Sequence, residues 1–246
     1  MPLDLTGLPP WPEDDFSQYG DVEQATIGKY QAVAASQLHR NWLAIPHVTH
    51  HDDLDVTEAE QRRSAWNTQN ALRVSPLVPL VRAVAAAIDR FPIFGSSLGT
   101  DGKTLIYKKY RHIGIAVETP RGLLVPVLRN VDVRSLSGLA TEIASLAEKA
   151  RSRGLSMSEM AGGVITLSSL GHIGGTGFTP IINAPQVAIV GVTKLVERPV
   201  FGNGNSVLRR SFLPVSLSYD HRVINGADAA RFVRAIGEEL NGVTYA

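Results

Sequence analysis

Residues 215 to 232 read VSLSYDHRVINGADAARF, and within eighteen positions the pattern changes from strand to helix around one histidine. Leu213, Val215, Leu217 and Tyr219 alternate with Pro214, Ser216 and Ser218, the period of two of a β-strand. After the turn, Asn225, Gly226 and Asp228 fit the N-cap, N1 and N3 positions of a helix, with Ala229, Phe232, Val233, Ile236 and Leu240 as its apolar stripe. His221 therefore sits on a short link braced by two rigid elements. On this pattern alone it is equally a general base or a core histidine with its nitrogens satisfied.

Working outward, GGVITLSSLG (162–171), QVAIVGVTKLV (186–196) and FLPVSLSY (212–219) read as strands. Leu136, Leu139, Ala140, Ile143, Leu146 and Ala147 form the stripe of a helix ending before Gly154. TLIYKKY, HIGIAVET and GLLVPVL are apolar and β-branched, separated by turn chemistry, and are expected in one sheet. Upstream, helical spacing runs from Ile27 to Trp42, and IPHVTHHDDLDV is a strand. Thr57 with Glu60 suggests a capping box for a helix to about Asn70, and PLVPLVRAVAAAIDRF gives a buried helix with Pro76 at its start. Strands and helices are mixed without repeats, so the expected fold class is α/β (mixed α+β), one domain over 27–246. Residues 1–26 carry six acidic groups, no basic one, and Pro2, Pro9, Pro10 and Pro12; they are expected to form an extended acidic arm.

The 246 residues hold 24 Lys+Arg against 23 Asp+Glu and no basic block, which argues against a nucleic-acid partner. No cysteine is present, so disulfides, thiolate metal sites and a cysteine nucleophile are excluded. With no membrane-length apolar run and no leader pattern, a cytoplasmic location is expected.

Several short motifs fail on context. GSSLG (95–99) matches G-x-S-x-G, which would make Ser97 a nucleophile with His221 downstream as its base, but the preceding DRFPIF closes a helix and TDGKTLIYKK leads from a turn to a strand. DGKT (101–104) lacks the first glycine of a phosphate loop, where Ser97 stands, and reads as a hairpin turn. GHIGGTG (171–177) does not have dinucleotide-binding spacing, and Pro180 follows where a helix should begin. It is either a wide turn or a place where a ligand approaches the backbone. His47 and His51 share a strand face with His50 on the other, and four strand residues span about 13 Å, too far to share an ion; no metal is expected.

Taken together, VITLSSLGHIGGTGFTPIINAPQVAIVGV (164–192) and LPVSLSYDHRVINGADAARF (213–232) resemble the catalytic domain of the dihydrolipoamide acyltransferases, the cores of 2-oxo acid dehydrogenase complexes. SQLHRNWLAIPHVTHHDDLDVT, KKYRHIGIAVETPRGLLVPVLRN and AEKARSRGLSMSEMAGG are similar in the same order, so the resemblance runs from about residue 20 to 240. Among subclasses it is most similar to the bacterial acetyltransferase of pyruvate dehydrogenase.

The resemblance implies a chloramphenicol-acetyltransferase-like fold, a mixed sheet flanked by helices, assembled as a homotrimer with active sites between subunits. It implies two substrates, coenzyme A and an acyl-dihydrolipoyl group on a separate domain or chain, with dehydrogenase-complex components as partners. His221 would take the coenzyme A proton, the thiolate would attack the thioester, and His221 would return the proton to the departing thiol. An imidazole near pKa 6.5 suits a thiol near 8.5. Ser168 would donate to the tetrahedral oxyanion and Asn225 would position the turn. Gly174, Gly175, Phe178, Thr179 and Asn183 would line the substrate channel. Ser169 would be a structural hydroxyl.

Two positions depart from the common family pattern. Asn225 replaces a frequent aspartate, retaining the cap without its charge, and Gly95 replaces an asparagine, which is expected either to loosen the channel wall or to change its substrate. No lipoyl or subunit-binding domain is read here, and the tail ELNGVTYA lacks a strongly apolar end, which favours a trimer over a larger cubic core. Alternatives are a free-standing coenzyme A-dependent acyltransferase for another acceptor, or a non-catalytic scaffold.

Overall fold

The computed structural model describes residues 12–245. After a single 3-10 turn at Phe16–Gln18, capped by Asp15, the elements run α1 (Lys29–Ala44), β1 (His47–Asp55), α2 (Thr57–Gln69), α3 (Leu77–Arg90), β2 (Ser96–Leu98) and β3 (Leu105–Tyr107). They continue with β4 (Ile113–Ile115), β5 (Val117–Thr119), β6 (Gly122–Leu124), β7 (Val127–Leu128), α4 (Leu136–Ser152), α5 (Met157–Met160), β8 (Ile165–Ser169), β9 (Ala188–Val192), β10 (Val196–Phe201), β11 (Val207–Asp220) and α6 (Gly226–Gly242).

A seven-stranded mixed sheet has the order β1-β11-β9-β8-β4-β7, with β10 extending β11. β8 pairs parallel with β4 and β9; the remaining pairs are antiparallel. The three central segments expected in one sheet divide instead. β4 and β7 join the main sheet, whereas β3 pairs with β2 and β5 with β6 in separate two-stranded ribbons. Ala116 and the Pro126 region interrupt the runs, so one apolar stretch serves two sheets.

On one face of the sheet Ile165, Leu167, Val190, Leu217 and Tyr219 pack against α3 and α6. Phe94 stacks on Phe232 at 3.9 Å between ring centroids, and both are fully buried. Burying a side chain of this size contributes about 1.5–3 kcal/mol. The expected capping box at Thr57 is not formed. Thr57 is the first helical residue, its N–H and hydroxyl donate to Asp55, and Glu60 pairs with Arg63. An aspartate two residues earlier satisfies the donors that Glu60 would have served.

The opposite face is polar yet also buried, which strand alternation does not reveal. Ser216 and Ser218 are 1% and 0% exposed; the long segment between β8 and β9 lies across Ser216 through the Phe178 N–H, and the Ser218 hydroxyl meets that of Thr49 on β1. By contrast, α1 buries only Asn41 and leaves Tyr30, Val33, Leu38 and Trp42 exposed. Residues 12–26 are exposed throughout; Pro2, Pro9 and Pro10 lie outside the described residues. No described helix is long and apolar enough to cross a membrane.

Candidate active site

β11 ends at Asp220, whose N–H donates to the Val187 carbonyl and whose side chain is 3% exposed. Arg222 reaches back so that Nε and Nη2 grip both Asp220 oxygens, with Nη2 to Oδ2 at 2.6 Å. The Arg222 N–H also donates to Asp220 Oδ1, and the Val223 and Ile224 N–H groups donate to the Asp220 carbonyl. These bonds fix a tight turn with His221 at its apex. The His221 N–H donates to the Pro46 carbonyl, and its exposed ring stands 5.8 Å from the Tyr219 ring. A core histidine is thereby excluded for this chain taken singly.

Asn225 caps α6 as expected, its Oδ1 accepting from the Asp228 N–H at 3.0 Å. Its amide also donates to Asp228 Oδ2 at 2.7 Å, and Asp228 pairs with Arg231. The asparagine is thus matched to an acidic neighbour. Of the other departure, an ideal Cβ on buried Gly95 would lie 2.9 Å from Ile88, so Gly95 accommodates core packing against α3.

Ser168 ends up at the other end of the sheet. It is paired with Gly191 on β9, which is paired with Ser216 on β11, and His51 on β1 completes the row. His221 lies five residues beyond Ser216. At about 3.3 Å per residue and 4.8 Å per strand, Ser168 and His221 of one chain are roughly 19 Å apart. One chain therefore does not bring the serine and histidine to a common reacting atom.

The 171–187 segment connects the two ends. Phe178 lies over Gly191, where a Cβ would meet its Cζ at 2.6 Å, and its N–H donates to Ser216 Oγ. Ser216 Oγ is in turn 2.9 Å from His51 Nδ1. Gly174 and Gly175 have φ of 132° and 87°, the region favouring glycine, and Gly175 and Thr179 are exposed. Asn183 accepts a turn bond from the Gln186 N–H, and Gln186 accepts from the Thr166 hydroxyl at 2.7 Å. Ser168 and Ser169 both border a cavity of about 600 Å³ that also reaches Leu80, Ile115, Ile143 and Leu213; neither His221 nor the five expected channel residues line it.

His47 is engaged structurally, and His112 Nδ1 accepts from the Asn130 N–H. The Ile182 N–H donates to His47 Nε2, so Nδ1 carries the proton and donates to the Ile45 carbonyl at 2.8 Å. No group of three His, Cys, Asp or Glu residues positioned for a metal occurs among the described residues. The Ser97 hydroxyl donates to the Pro185 carbonyl from a nearly buried strand position, with no strand-to-helix elbow; β2 and β3 join through the turn expected at Asp101–Thr104. Sequence reasoning missed the Asp220–Arg222 clamp and the Ser216–Phe178 tie; an aspartate and an arginine flanking the histidine were the readable signal for the first.

This architecture is that of chloramphenicol acetyltransferase, matched at a TM-score of 0.56 and 16% identity over 83% of this chain and 95% of that one, a likeness of fold alone. The 2-oxoacid dehydrogenases acyltransferase (catalytic domain) family matches residues 19–244, and the chain belongs to it. The pyruvate dehydrogenase acetyltransferase component of Pseudomonas aeruginosa is 52% identical over 237 residues, 95% of this chain and 43% of that protein. The chain thus spans less than half the length of that relative. An Azotobacter vinelandii dihydrolipoamide acetyltransferase structure, with 50% identity, superposes at a TM-score of 0.91 over 95% of this chain and 97% of that one. That structure addressed the roles of a serine, a histidine and an asparagine in catalysis, the last two spaced four apart, as His221 and Asn225 are. The cubic core of a pyruvate dehydrogenase multienzyme complex matches equally, at 0.91 and 50% identity, again over 95% of this chain and 97% of that one.

Proposed function

We propose that this chain transfers an acetyl group from an S-acetyl-dihydrolipoyl carrier to coenzyme A. The observation that carries the reading is the clamped turn presenting His221, in a chain 52% identical to a dihydrolipoyllysine-residue acetyltransferase. His221 accepts the coenzyme A thiol proton as sulfur bonds to the acyl carbon, and returns it to the dihydrolipoyl sulfur as the original C–S bond breaks. Ser168 donates to the intermediate oxyanion, a contact whose loss costs about 10²–10³ in rate. Asn225 positions the turn. Gly174, Gly175, Phe178, Thr179 and Asn183 line the substrate path.

Because Ser168 and His221 lie at opposite sheet ends, the working site is shared between copies, His221 from one and Ser168 from the next. A homotrimer with a threefold head-to-tail interface supplies that arrangement. The exposed apolar face of α1 and the acidic arm, expected over 1–26 and exposed over 12–26, support association of copies. Lipoyl carriers and dehydrogenase components are the expected partners. A cytoplasmic location follows the bacterial relatives' role.

The test is acetyl transfer between acetyl-CoA and dihydrolipoamide at matched oligomeric state. The parent chain turns over, His221→Ala abolishes turnover, and Ser168→Ala lowers it by about two orders of magnitude or more. An inactive parent, or a His221→Ala chain of equal activity, would redirect the assignment to another acceptor or to a scaffold.

A further inference from the structure

Lys108 follows β3 directly and is half-buried beside Ser97. Its Nζ donates to the Ser96 carbonyl at 2.8 Å and lies 2.6 Å from Ser97 Oγ, whose own proton goes to the Pro185 carbonyl. No carboxylate pairs with it among the described residues. Lys109, the next residue, is exposed. Two adjacent lysines thus occupy different settings, one oriented by a serine and a carbonyl, the other in solvent.

We infer that Lys108 is a site of N-acylation by small acyl thioesters, its amine oriented by Ser96 and Ser97 for attack on the thioester carbonyl. The neutral nitrogen forms an amide bond to the acyl carbon, the C–S bond breaks, and the proton lost from nitrogen leaves with the thiolate as a free thiol. No oxidant, metal or His221 takes part. Burial without a counter-ion lowers the Lys108 amine to about 8, so a large neutral fraction exists at mildly alkaline pH, where an ordinary lysine stays charged. The amide has a single N–H, so it cannot keep both the Ser96 and Ser97 contacts. Acylation therefore removes a contact at the Ser96–Ser97 pair, whose Ser97 hydroxyl donates to Pro185, two residues from Asn183 in the segment expected to line the channel.

The experiment incubates the assembled protein with S-acetyl-N-acetylcysteamine at pH 7, 8, 9 and 10 and follows each lysine by peptide mass spectrometry. At pH 8 Lys108 is acetylated about tenfold faster than Lys109, since its larger neutral fraction outweighs the lower intrinsic nucleophilicity of a weaker base. Its rate levels off above pH 8 while that of Lys109 keeps rising. In urea the two become equal, and His221→Ala leaves the Lys108 rate unchanged, which separates this outcome from success or failure of the transfer reaction. Lys109 labelled as fast as Lys108 in the folded protein at pH 8, or a Lys108 rate still climbing between pH 9 and 10, would overturn the inference.

Discussion

Asp220 and Arg222 grip one another across His221, two nitrogens of the guanidinium on two oxygens of a carboxylate whose side chain is 3% exposed. The pairing holds Arg222 well up in its charged range, first through the Asp220 hydrogen bond. It aims the histidine by fixing its neighbours on both sides. Asp220→Asn breaks the charge pair and leaves a buried amide, an expected loss of about 2 kcal/mol given the half-exposed arginine. The urea midpoint falls and turnover falls with it. An unchanged midpoint would show that the clamp is not needed.

Asn225 is coupled to Asp228 twice, through the backbone cap and through its amide. Asn225→Ala costs about 1 kcal/mol of stability. Asn225→Asp keeps the backbone cap but sets two carboxylates face to face, so its deficit at neutral pH shrinks at 1 M salt, where the screening length drops to about 3 Å. Thermal melts of both variants at low and high salt make the check; equal salt responses contradict it.

Gly191 has no room for a methyl group, with Phe178 Cζ 2.6 Å from an ideal Cβ. Gly191→Ala is expected to cost about 1–3 kcal/mol through overpacking. The combination Gly191→Ala with Phe178→Ala recovers part of that, which a double-mutant cycle reads as coupling. Strict additivity would mean that the ring is not what fills the space.

Glu159 accepts from Lys149 Nζ at 2.6 Å and from the Ser156 N–H and hydroxyl. The Lys149 bond first, then those from Ser156, hold its carboxyl down at about 2 from an ordinary 4.5. The folded value lies below the unfolded one, so the stabilisation is present above pH 4.5 and disappears as pH falls towards 2. Melting temperatures of the parent and Glu159→Gln differ at pH 6 and converge by about pH 2. A constant gap across that range refutes the linkage.

Ser168→Ala and His221→Ala chains, unfolded together and reassembled at equal amounts, regain activity if the site is shared. Random assortment leaves about a quarter of the interfaces with both residues intact, so about a quarter of parent turnover returns. Chains mixed after assembly remain inactive. No recovery on co-assembly places both residues in one chain's site.

The sequence by itself determined the elements around the functional turn. The alternation into Tyr219, the cap at Asn225 and the stripe of α6 are local patterns set by backbone period and capping, and each is present where it was read. It did not reveal that Ser216 is buried, because what covers it is a segment about forty residues away, through Phe178. Nor did it separate β5 and β6 from β4 and β7, since one apolar run fits either sheet. The tertiary structure alone decided that Ser168 and His221 stand at opposite ends of the sheet. Strand register is fixed by pairing between distant segments, and pairing is what sets Ser168 and His221 of one chain too far apart to meet at one reacting atom.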